Sequence, residues 1–275
     1  MKLGEGSTEV VIGLLDGPVA MAHPDLAGTS IRRVSKDMGS KCLQVSSAAC
    51  RHGSFVGGIL SARRGSVAPA ICPGCTLLVR PIFQESNRDE RTMPSVPPEE
   101  VARAIIEAVD AGARVLNLSA AFDQPSIRSE RQLREALDYA TRRGTIVVAA
   151  AGNQGTLGSS AITRHPWIIP VGACDPQGRP LGETNLGGSI GKRGLMAPGE
   201  GVTSLGAEGK PLTWGGTSVA APFVTGTVAL LWSEFPDASA TEVKSAVTGG
   251  AYAKRRTSVV PPLLDARAAY AAIGR

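Results

Sequence analysis

Four polar residues occur in stretches that are otherwise small or apolar: Asp16, His52, Asn153 and Ser218. A serine hydroxyl is a weak nucleophile near neutral pH and needs an imidazole to accept its proton. The imidazole needs a carboxylate that fixes its tautomer, and the oxyanion that forms needs hydrogen-bond donors. In chain order these residues supply the carboxylate, the base, an oxyanion donor and the nucleophile. Together they predict acyl-transfer chemistry.

Three of these residues also have a structural explanation when each is taken alone. Asp16 and Asn153 precede glycine-containing turns, in which their side chains are common. Ser218 begins a strongly apolar helix, where a serine is typically the N-cap. The pair Gly215 and Gly216 favours the catalytic interpretation of Ser218, because two glycines allow a substrate backbone to approach closely.

The three histidines of the chain differ in their surroundings. His23 and His165 each precede a proline, which favours an extended loop, and we interpret both as structural. His52 alone begins a glycine-rich helix. Because such a helix lacks large side chains, it can pack closely beneath a site.

The elements that position these residues alternate along the chain. Five short runs are apolar on both faces, as parallel strands between two helix layers would be. They cover residues 9–15, 76–82, 114–119, 145–151 and 167–173. Amphipathic stretches at 97–113 and from Ser129 to Gly144 predict helices, and a proline-started final helix is expected near the carboxyl terminus.

This alternation predicts an α/β fold of three layers, with a mainly parallel central sheet and helices on both faces. Catalytic groups of such folds collect beyond the carboxyl ends of the strands. No linker or repeat interrupts the pattern, so we expect one domain over residues 1–275. The net charge of +5 comes with only 4% aromatic residues and scattered arginines, which does not indicate a nucleic-acid partner.

The chain shows neither a signal peptide nor an apolar run long enough to span a membrane, which favours a cytoplasmic location unless a leading segment has been removed. Its five cysteines leave at least one unpaired within the chain. Cys72 and Cys75 flank Pro-Gly, which is typical of a turn. They are candidates for a disulfide, a redox pair, or half of a zinc site with Cys42 and Cys50, and a structural or free-thiol role is favoured.

Several linked motifs between about Val10 and Trp232 resemble the subtilisin-like serine proteases, the subtilases of peptidase family S8. They are "VIGLLDGPV", "HGSFVGGI", "VLNLS", "VVAAAGNQG", "LMAPGEGV" and "GTSVAAPFVTG". Subtilisin itself has this chain order of carboxylate, base and nucleophile. The resemblance implies a subtilisin-like fold and a serine endopeptidase.

The resemblance also implies a role for individual residues. Asp16 orients His52, which acts as general base and then general acid, and Ser218 attacks. The Asn153 amide and the Ser218 backbone N–H form the oxyanion hole. The expected substrate-binding residues form two parts of the groove. One part is a strand that pairs with the extended substrate, and the other is a wall of the pocket for the residue before the cut. They are Leu118, Ser119 and Ala120 for the strand, and Ala151 and Gly152 for the wall.

The chain also departs from the family pattern. It has Asp16-Gly17-Pro18 where Asp-Ser/Thr-Gly is usual, and Phe55 where the family has a second histidine after His52. Ser119 is followed by two alanines and Phe122 rather than by Leu-Gly. The additional Cβ of alanine in place of glycine and the ring of Phe122 predict a narrower substrate groove.

The opening "LDGPV", "VRPIF" at 79–83 and "GTSVAAPFVTG" are similar to the maturation proteases of cyanobactin-type ribosomal peptide pathways. The resemblance therefore implies a peptide or protein substrate, most specifically a precursor peptide whose leader or follower is removed. One alternative is a macrocyclase of the same fold, but the polar, loop-like stretch between Asp16 and His52 lacks a helical insertion and favours hydrolysis. The other alternative is a catalytically inactive peptide-binding module, and the four intact residues argue against it.

We expect no required cofactor and no catalytic metal. Structural calcium is common in the resembling family, yet no acidic loop of this chain has convincing ligand spacing. The loop at 175–185 is a weak candidate, and an ordinary solvated loop is the favoured interpretation.

Overall fold

The computed structural model describes residues 4–34, 41–85, 94–119, 127–249 and 256–274. Within them a seven-stranded sheet has the strand order β2-β3-β1-β4-β5-β6-β7. The strands are β1 Val11–Asp16, β2 Ile31–Arg33, β3 Thr76–Pro81, β4 Val115–Leu118, β5 Ile146–Ala150, β6 Ile168–Cys174 and β7 Leu195–Pro198. All six neighbouring pairs are parallel, so the carboxyl ends of the strands meet at one edge of the sheet.

Helices cover both faces of this sheet. They are α1 Ala48–Ser61, α2 Pro98–Asp110, α3 Ile127–Arg142, α4 Ala161–Arg164, α5 Gly188–Arg193, α6 Thr217–Glu234, α7 Ala240–Val247 and α8 Ala266–Ile273. Helices α1 and α6 pack on one face and α2 and α3 on the other. This arrangement confirms the three-layer α/β fold.

The two faces of each central strand contribute to different cores. Ile12 and Leu14 of β1 belong to the cluster beneath α1 and α6, whereas Leu15 belongs to the cluster beneath α2 and α3. Side chains alternate across a strand, so a strand covered on both faces is apolar at every position. This is why the central strands were visible as continuous apolar runs.

The structure adds four strands to the five that the sequence predicts. Strands β2 and β7 lie at the two edges of the sheet, and β8 Val202–Leu205 and β9 Pro211–Trp214 form a separate antiparallel hairpin. An edge strand is covered on fewer sides and needs fewer apolar residues, so short segments such as β2 give little signal.

The starts of α3 and α8 differ from those predicted. Helix α3 begins at Ile127, before Ser129. Helix α8 is capped by Asp265, whose side chain accepts a hydrogen bond from the Ala268 N–H, rather than being started by proline. Helix α8 packs on the body, where the ring of Tyr270 contacts that of Phe235. In the part of the chain described, no helix is sufficiently long and apolar to span a bilayer.

The cysteines pair in a way that the sequence left open. Cys42 and Cys50 form a disulfide across a separation of eight residues. The zinc interpretation that included both is therefore wrong, because their sulfurs are bonded to each other. Cys72 and Cys75 are buried free thiols. The predicted turn between them is present, since the Cys75 N–H donates to the Cys72 carbonyl.

Candidate active site

Asp16 is the last residue of β1, a central strand of the sheet. Its side chain is fully buried, and Oδ1 accepts a hydrogen bond from the Gly17 N–H at 2.6 Å. The same oxygen lies 2.6 Å from Nδ1 of His52. The turn after β1 therefore directs a buried carboxylate at the imidazole.

His52 lies in the second turn of α1, which begins at Ala48 with Ser47 as N-cap. The expectation that His52 itself begins the helix was wrong by four positions. Gly53, which follows His52, allows the close packing that we expect of a glycine-rich helix. A Cβ at Gly53 would collide with the backbone of Gly17 and Pro18, so only glycine lets α1 approach the turn that carries Asp16.

Ser218 is the second residue of α6 and not its N-cap. The N-cap is Gly216, which has a φ of 114° and no side-chain capping bond. The N-cap interpretation of the serine is therefore wrong. Its hydroxyl instead lies 2.8 Å from Nε2 of His52. The positive φ of Gly216 is one that other residues rarely adopt, and it turns the chain from the β9 hairpin into α6.

These contacts determine the tautomer of His52. A carboxylate only accepts hydrogen bonds, so Nδ1 carries the proton that points at Asp16, and Nε2 is free to accept the Ser218 hydroxyl proton. Burial lowers the pKa of His52, but the charge of Asp16 and its hydrogen bond outweigh burial. The pKa of His52 is therefore raised above its ordinary 6.5.

Asn153 lies three residues beyond the end of β5 and is exposed. Its Oδ1 accepts a hydrogen bond from the Thr217 N–H at 2.9 Å. With Oδ1 engaged in this way, the amide NH₂ remains available to a ligand. The backbone N–H of Ser218 is among the first four of α6, which have no acceptor within the helix. Both expected oxyanion donors therefore belong to the same corner of the fold.

The strand expected to pair with a substrate is only partly described. Leu118 pairs in register with Leu15 on one side and Ala149 on the other, and its side chain is fully buried. Leu118 is thus an interior position of the sheet, and its expected pairing with a substrate stays a prediction. Ser119 follows at the carboxyl edge and is half-buried, and Ala120 lies outside the described residues.

Ala151 and Gly152 connect β5 to Asn153 and are both buried. The Asn185 side chain donates to the Ala151 carbonyl at 3.3 Å, and the Gly152 N–H donates to Thr217 Oγ1 at 3.1 Å. Gly152 has a φ of 105°, and a Cβ there would collide with Asn185. These contacts hold the segment before Asn153 in one conformation beside the start of α6.

Two residues of the site were missed by sequence reasoning. Thr217 binds both Gly152 and Asn153 and so joins the end of β5 to α6. Trp214 packs against the imidazole of His52, with ring centroids 5.6 Å apart. Thr217 lies inside the "GTS" motif, which was a usable signal. Nothing near Trp214 in the sequence indicates its contact with a residue of α1.

The other two histidines have structural contacts. His23 caps a short 3₁₀ helix, because its Nδ1 accepts a hydrogen bond from the Asp25 N–H. His165 ends α4, and its Nε2 lies 3.2 Å from Asp138. Neither contact involves the site around His52.

The weak calcium candidate does not fit a cation. Oδ1 of Asp175 accepts hydrogen bonds from the backbone N–H groups of Gln177 and Arg179, and Oδ2 lies 2.6 Å from the Arg179 guanidinium. The chain's own arginine therefore neutralises the carboxylate that calcium would need.

Comparison with known proteins agrees with this geometry. The subtilase family model, Peptidase S8, matches residues 7–266. The thermophilic serine proteinase of Bacillus sp. (strain AK1) is 31% identical over 235 residues, which cover 84% of this chain and 54% of that protein. The chain thus spans about half the length of this relative.

Solved structures share the fold. A mutant of the protease domain of PatA has a TM-score of 0.87 at 27% identity, covering 100% of this chain and 98% of that one. PatA is described as a patellamide maturation protease. The PatG macrocyclase domain has a TM-score of 0.82 at 20% identity, covering 99% and 94%, and this likeness concerns the fold alone. The match over most of its length shows that the chain belongs to the subtilase family.

Proposed function

We propose that this chain is a serine endopeptidase that cleaves peptide bonds through an acyl-enzyme. One observation carries the proposal. The imidazole of His52 lies between a buried carboxylate and a hydroxyl, at 2.6 Å from Asp16 and 2.8 Å from Ser218. Both distances are within hydrogen-bond range, so no rearrangement is needed before proton transfer.

In the first half of the reaction, Ser218 Oγ attacks the carbonyl carbon of the scissile bond while its proton passes to His52 Nε2. Asp16 stabilises the imidazolium that forms. The carbonyl oxygen becomes an oxyanion, which accepts hydrogen bonds from the Asn153 amide and the Ser218 N–H. The C–N bond then breaks, and His52 gives its proton to the departing amine.

In the second half, water replaces the amine. His52 Nε2 accepts a proton from the water as its oxygen attacks the acyl carbon, and the proton then passes to Ser218 Oγ as the ester bond breaks. The carboxylic acid product leaves and the enzyme is restored. Burial of Asp16 and packing of Trp214 against His52 hold the imidazole in position through both halves.

We further propose a ribosomal precursor peptide as substrate, with removal of its leader or follower segment. This rests on the likeness to PatA, a patellamide maturation protease, over the full length of this chain. Hydrolysis is favoured over cyclisation by the segment between Asp16 and α1. Its described residues contain a three-residue 3₁₀ helix and the short strand β2, not a long helix that would shield the acyl-enzyme.

The cytoplasmic location stays a prediction. The disulfide between Cys42 and Cys50 argues against a cytoplasmic location, because disulfides persist mainly in oxidising compartments.

A serine-directed fluorophosphonate tests the catalytic proposal. We expect it to label the wild-type chain, to label His52→Ala far more slowly, and not to label Ser218→Ala. Ser160→Ala is a matched control, since this serine caps α4 and its hydrogen bonds are with Thr163. Labelling that persists in Ser218→Ala would assign the nucleophile to another residue.

A randomised peptide library analysed by mass spectrometry tests the substrate proposal. Hydrolysis gives two fragments whose summed mass exceeds that of the substrate by one water. A macrocyclase gives a product without added water, which would overturn the preference for hydrolysis. The residue before each cut then defines the pocket that includes Ala151 and Gly152.

A further inference from the structure

A cationic cavity lies at the amino edge of the sheet, away from the residues that the proposed reaction uses. It has a volume of about 460 Å³. It opens between the residues that lead into β4 and β5, the end of α3 and the start of α7. The lining residues that matter here are Arg114, Arg142, Arg143, Trp232, Ser239 and Ala240.

Arg114 has contacts on two sides in this cavity. Its guanidinium lies over the Trp232 ring, 4.4 Å from the centroid, and two of its nitrogens lie 3.5 Å from the Pro236 carbonyl. Burial lowers the pKa of Arg114. Among the residues with described positions, no carboxylate forms an ion pair with it. A partly buried guanidinium without a counter-ion is costly, since its desolvation is not offset by an opposite charge.

Arg142 and Arg143 are exposed at the end of α3 and likewise lack an ion-pair partner within the described part of the chain. The carboxyl end of a helix stabilises one nearby cation. It does not account for three arginines that line one cavity. Ala240 brings the amino end of α7 to the lining, where Ser239 and Glu242 form a capping box that already uses the Glu242 N–H.

The acidic residues near the cavity have hydrogen-bond partners other than its arginines, or no ion pair with them. Asp110 accepts the Tyr139 hydroxyl at 2.5 Å. Glu242 accepts hydrogen bonds from the N–H and hydroxyl of Ser239. Asp237, next to Pro236, forms no ion pair with any of the three arginines. None of these carboxylates forms an ion pair with Arg114, Arg142 or Arg143 among the described residues, so each guanidinium can still pair with a carboxylate of a ligand.

We propose that this cavity binds an acidic segment of a peptide, whose carboxylates pair with Arg114, Arg142 and Arg143. The guanidinium group of arginine binds a carboxylate through two parallel hydrogen bonds. Nucleic acid is disfavoured, because sites for single strands present aromatic faces for base stacking. The aromatic residue of this lining, Trp232, is buried beneath Arg114 and 1% exposed.

The position of the cavity defines where the acidic segment must lie. Arg114 directly precedes β4, and Ser119, at the other end of this strand, lies on the catalytic edge. Four strand residues span about 13 Å. A peptide that passes around the sheet from one edge to the other therefore needs roughly ten or more residues between the cut and the acidic segment. The assignment of the ligand to the substrate rests on the proposed function.

Binding is tested independently of catalysis in Ser218→Ala, with fluorescein-labelled octaglutamate and octaglutamine peptides followed by fluorescence anisotropy. We expect octaglutamate alone to bind, with an affinity that falls as salt is added. Adding Arg142→Ala and Arg143→Ala should weaken binding about fivefold or more. Both arginines are exposed, so we expect the variant to keep its Tm.

The matched control removes two exposed surface cations elsewhere, with Lys192→Ala and Arg267→Ala. It changes net charge equally and should leave binding unchanged. Equal weakening in both double variants would overturn the proposal, as would equal binding of octaglutamine. A dT12 oligonucleotide that binds more tightly than octaglutamate, and depends on Arg142 and Arg143, would replace the peptide with a nucleic acid.

Cleavage then tests the link to the substrate. Two peptides share one cleavable sequence, and one of them carries a Glu-rich segment about fifteen residues away from the cut. We expect kcat/KM to be higher for the long peptide through a lower KM, and Arg142→Ala/Arg143→Ala to remove this advantage without changing cleavage of the short one. Binding of octaglutamate without any such advantage would retain the cavity as an anion site and reject its role with substrate.

Discussion

The two edges of the parallel sheet differ in how their polar groups are partnered. At the carboxyl edge, Asp16, His52 and Ser218 bind one another at 2.6 and 2.8 Å. At the amino edge, Arg114, Arg142 and Arg143 line a cavity and form no ion pair with the described acids.

This difference fits the two roles that we propose for the edges. Reaction requires groups that are aligned before the substrate arrives, and internal hydrogen bonds provide that alignment. Recognition of a charged partner requires charges that are still available. The same sheet thus offers a preorganised site at one edge and arginines without ion-pair partners at the other. Substitutions at the first edge should lower kcat, and substitutions at the second should weaken binding.

The largest effect is expected at the carboxyl edge, for Ser218→Ala. Subtilisin, which belongs to the same family, loses roughly 10⁶-fold in kcat without its serine, and we expect a loss of that scale here. The measurement is kcat on a short peptide. His52→Ala should be about as damaging, and adding it to Ser218→Ala should cost little more, because the two residues act as a unit. Losses that multiply would show that they act separately.

Asp16→Asn should cost roughly 10⁴-fold in kcat, again by the measured scale of the subtilisin case. It should also change the pH profile. The neutral imidazole is the base, so kcat/KM rises with pH as His52 loses its proton. Asp16 raises the pKa of His52, so the wild-type midpoint should lie above 6.5.

Without the charge of Asp16, burial remains and lowers the pKa of His52. The midpoint of the variant should therefore move to lower pH. Asp175→Asn removes a carboxylate that pairs with Arg179 and controls for net charge. An unchanged midpoint in Asp16→Asn would mean that another group sets the pKa of His52.

Asn153→Ala should lower kcat by roughly 10²-fold or more with little change in KM, a scale again set by subtilisin. In the proposed reaction the amide binds an oxyanion that exists only after attack, so ground-state binding should not depend on it. A rise in KM with kcat unchanged would instead assign Asn153 to substrate binding.

Smaller effects are expected from replacing cysteines, of which Cys42 and Cys50 form a disulfide and Cys72 and Cys75 are free thiols. Cys42→Ala/Cys50→Ala should lower the free energy of unfolding by roughly 2 to 3 kcal/mol, since the disulfide closes a short loop. The catalytic residues keep their contacts, so kcat should change less than about tenfold. Dithiothreitol should destabilise the wild type and not this variant. Cys72 and Cys75 should react as thiols once the protein is unfolded.

The central strands and long helices were predictable because burial on one or both faces leaves a periodic apolar pattern. Runs at 76–82 and 145–151 became β3 and β5, with ends shifted by one residue. Strands β2 and β7 were not predictable, because an edge strand of three or four residues has no such period.

The amino-acid sequence alone determined the chemistry. A carboxylate, an imidazole, an amide and a hydroxyl stand out against apolar surroundings, and their order predicts one type of reaction. Tertiary structure decided which groups meet. It paired Cys42 with Cys50 rather than Cys72 with Cys75, placed Trp214 against His52, and brought Arg114 to Arg142 and Arg143. The last two contacts join elements distant in the chain, and although only eight residues separate Cys42 from Cys50, no local pattern of residues shows which cysteines pair.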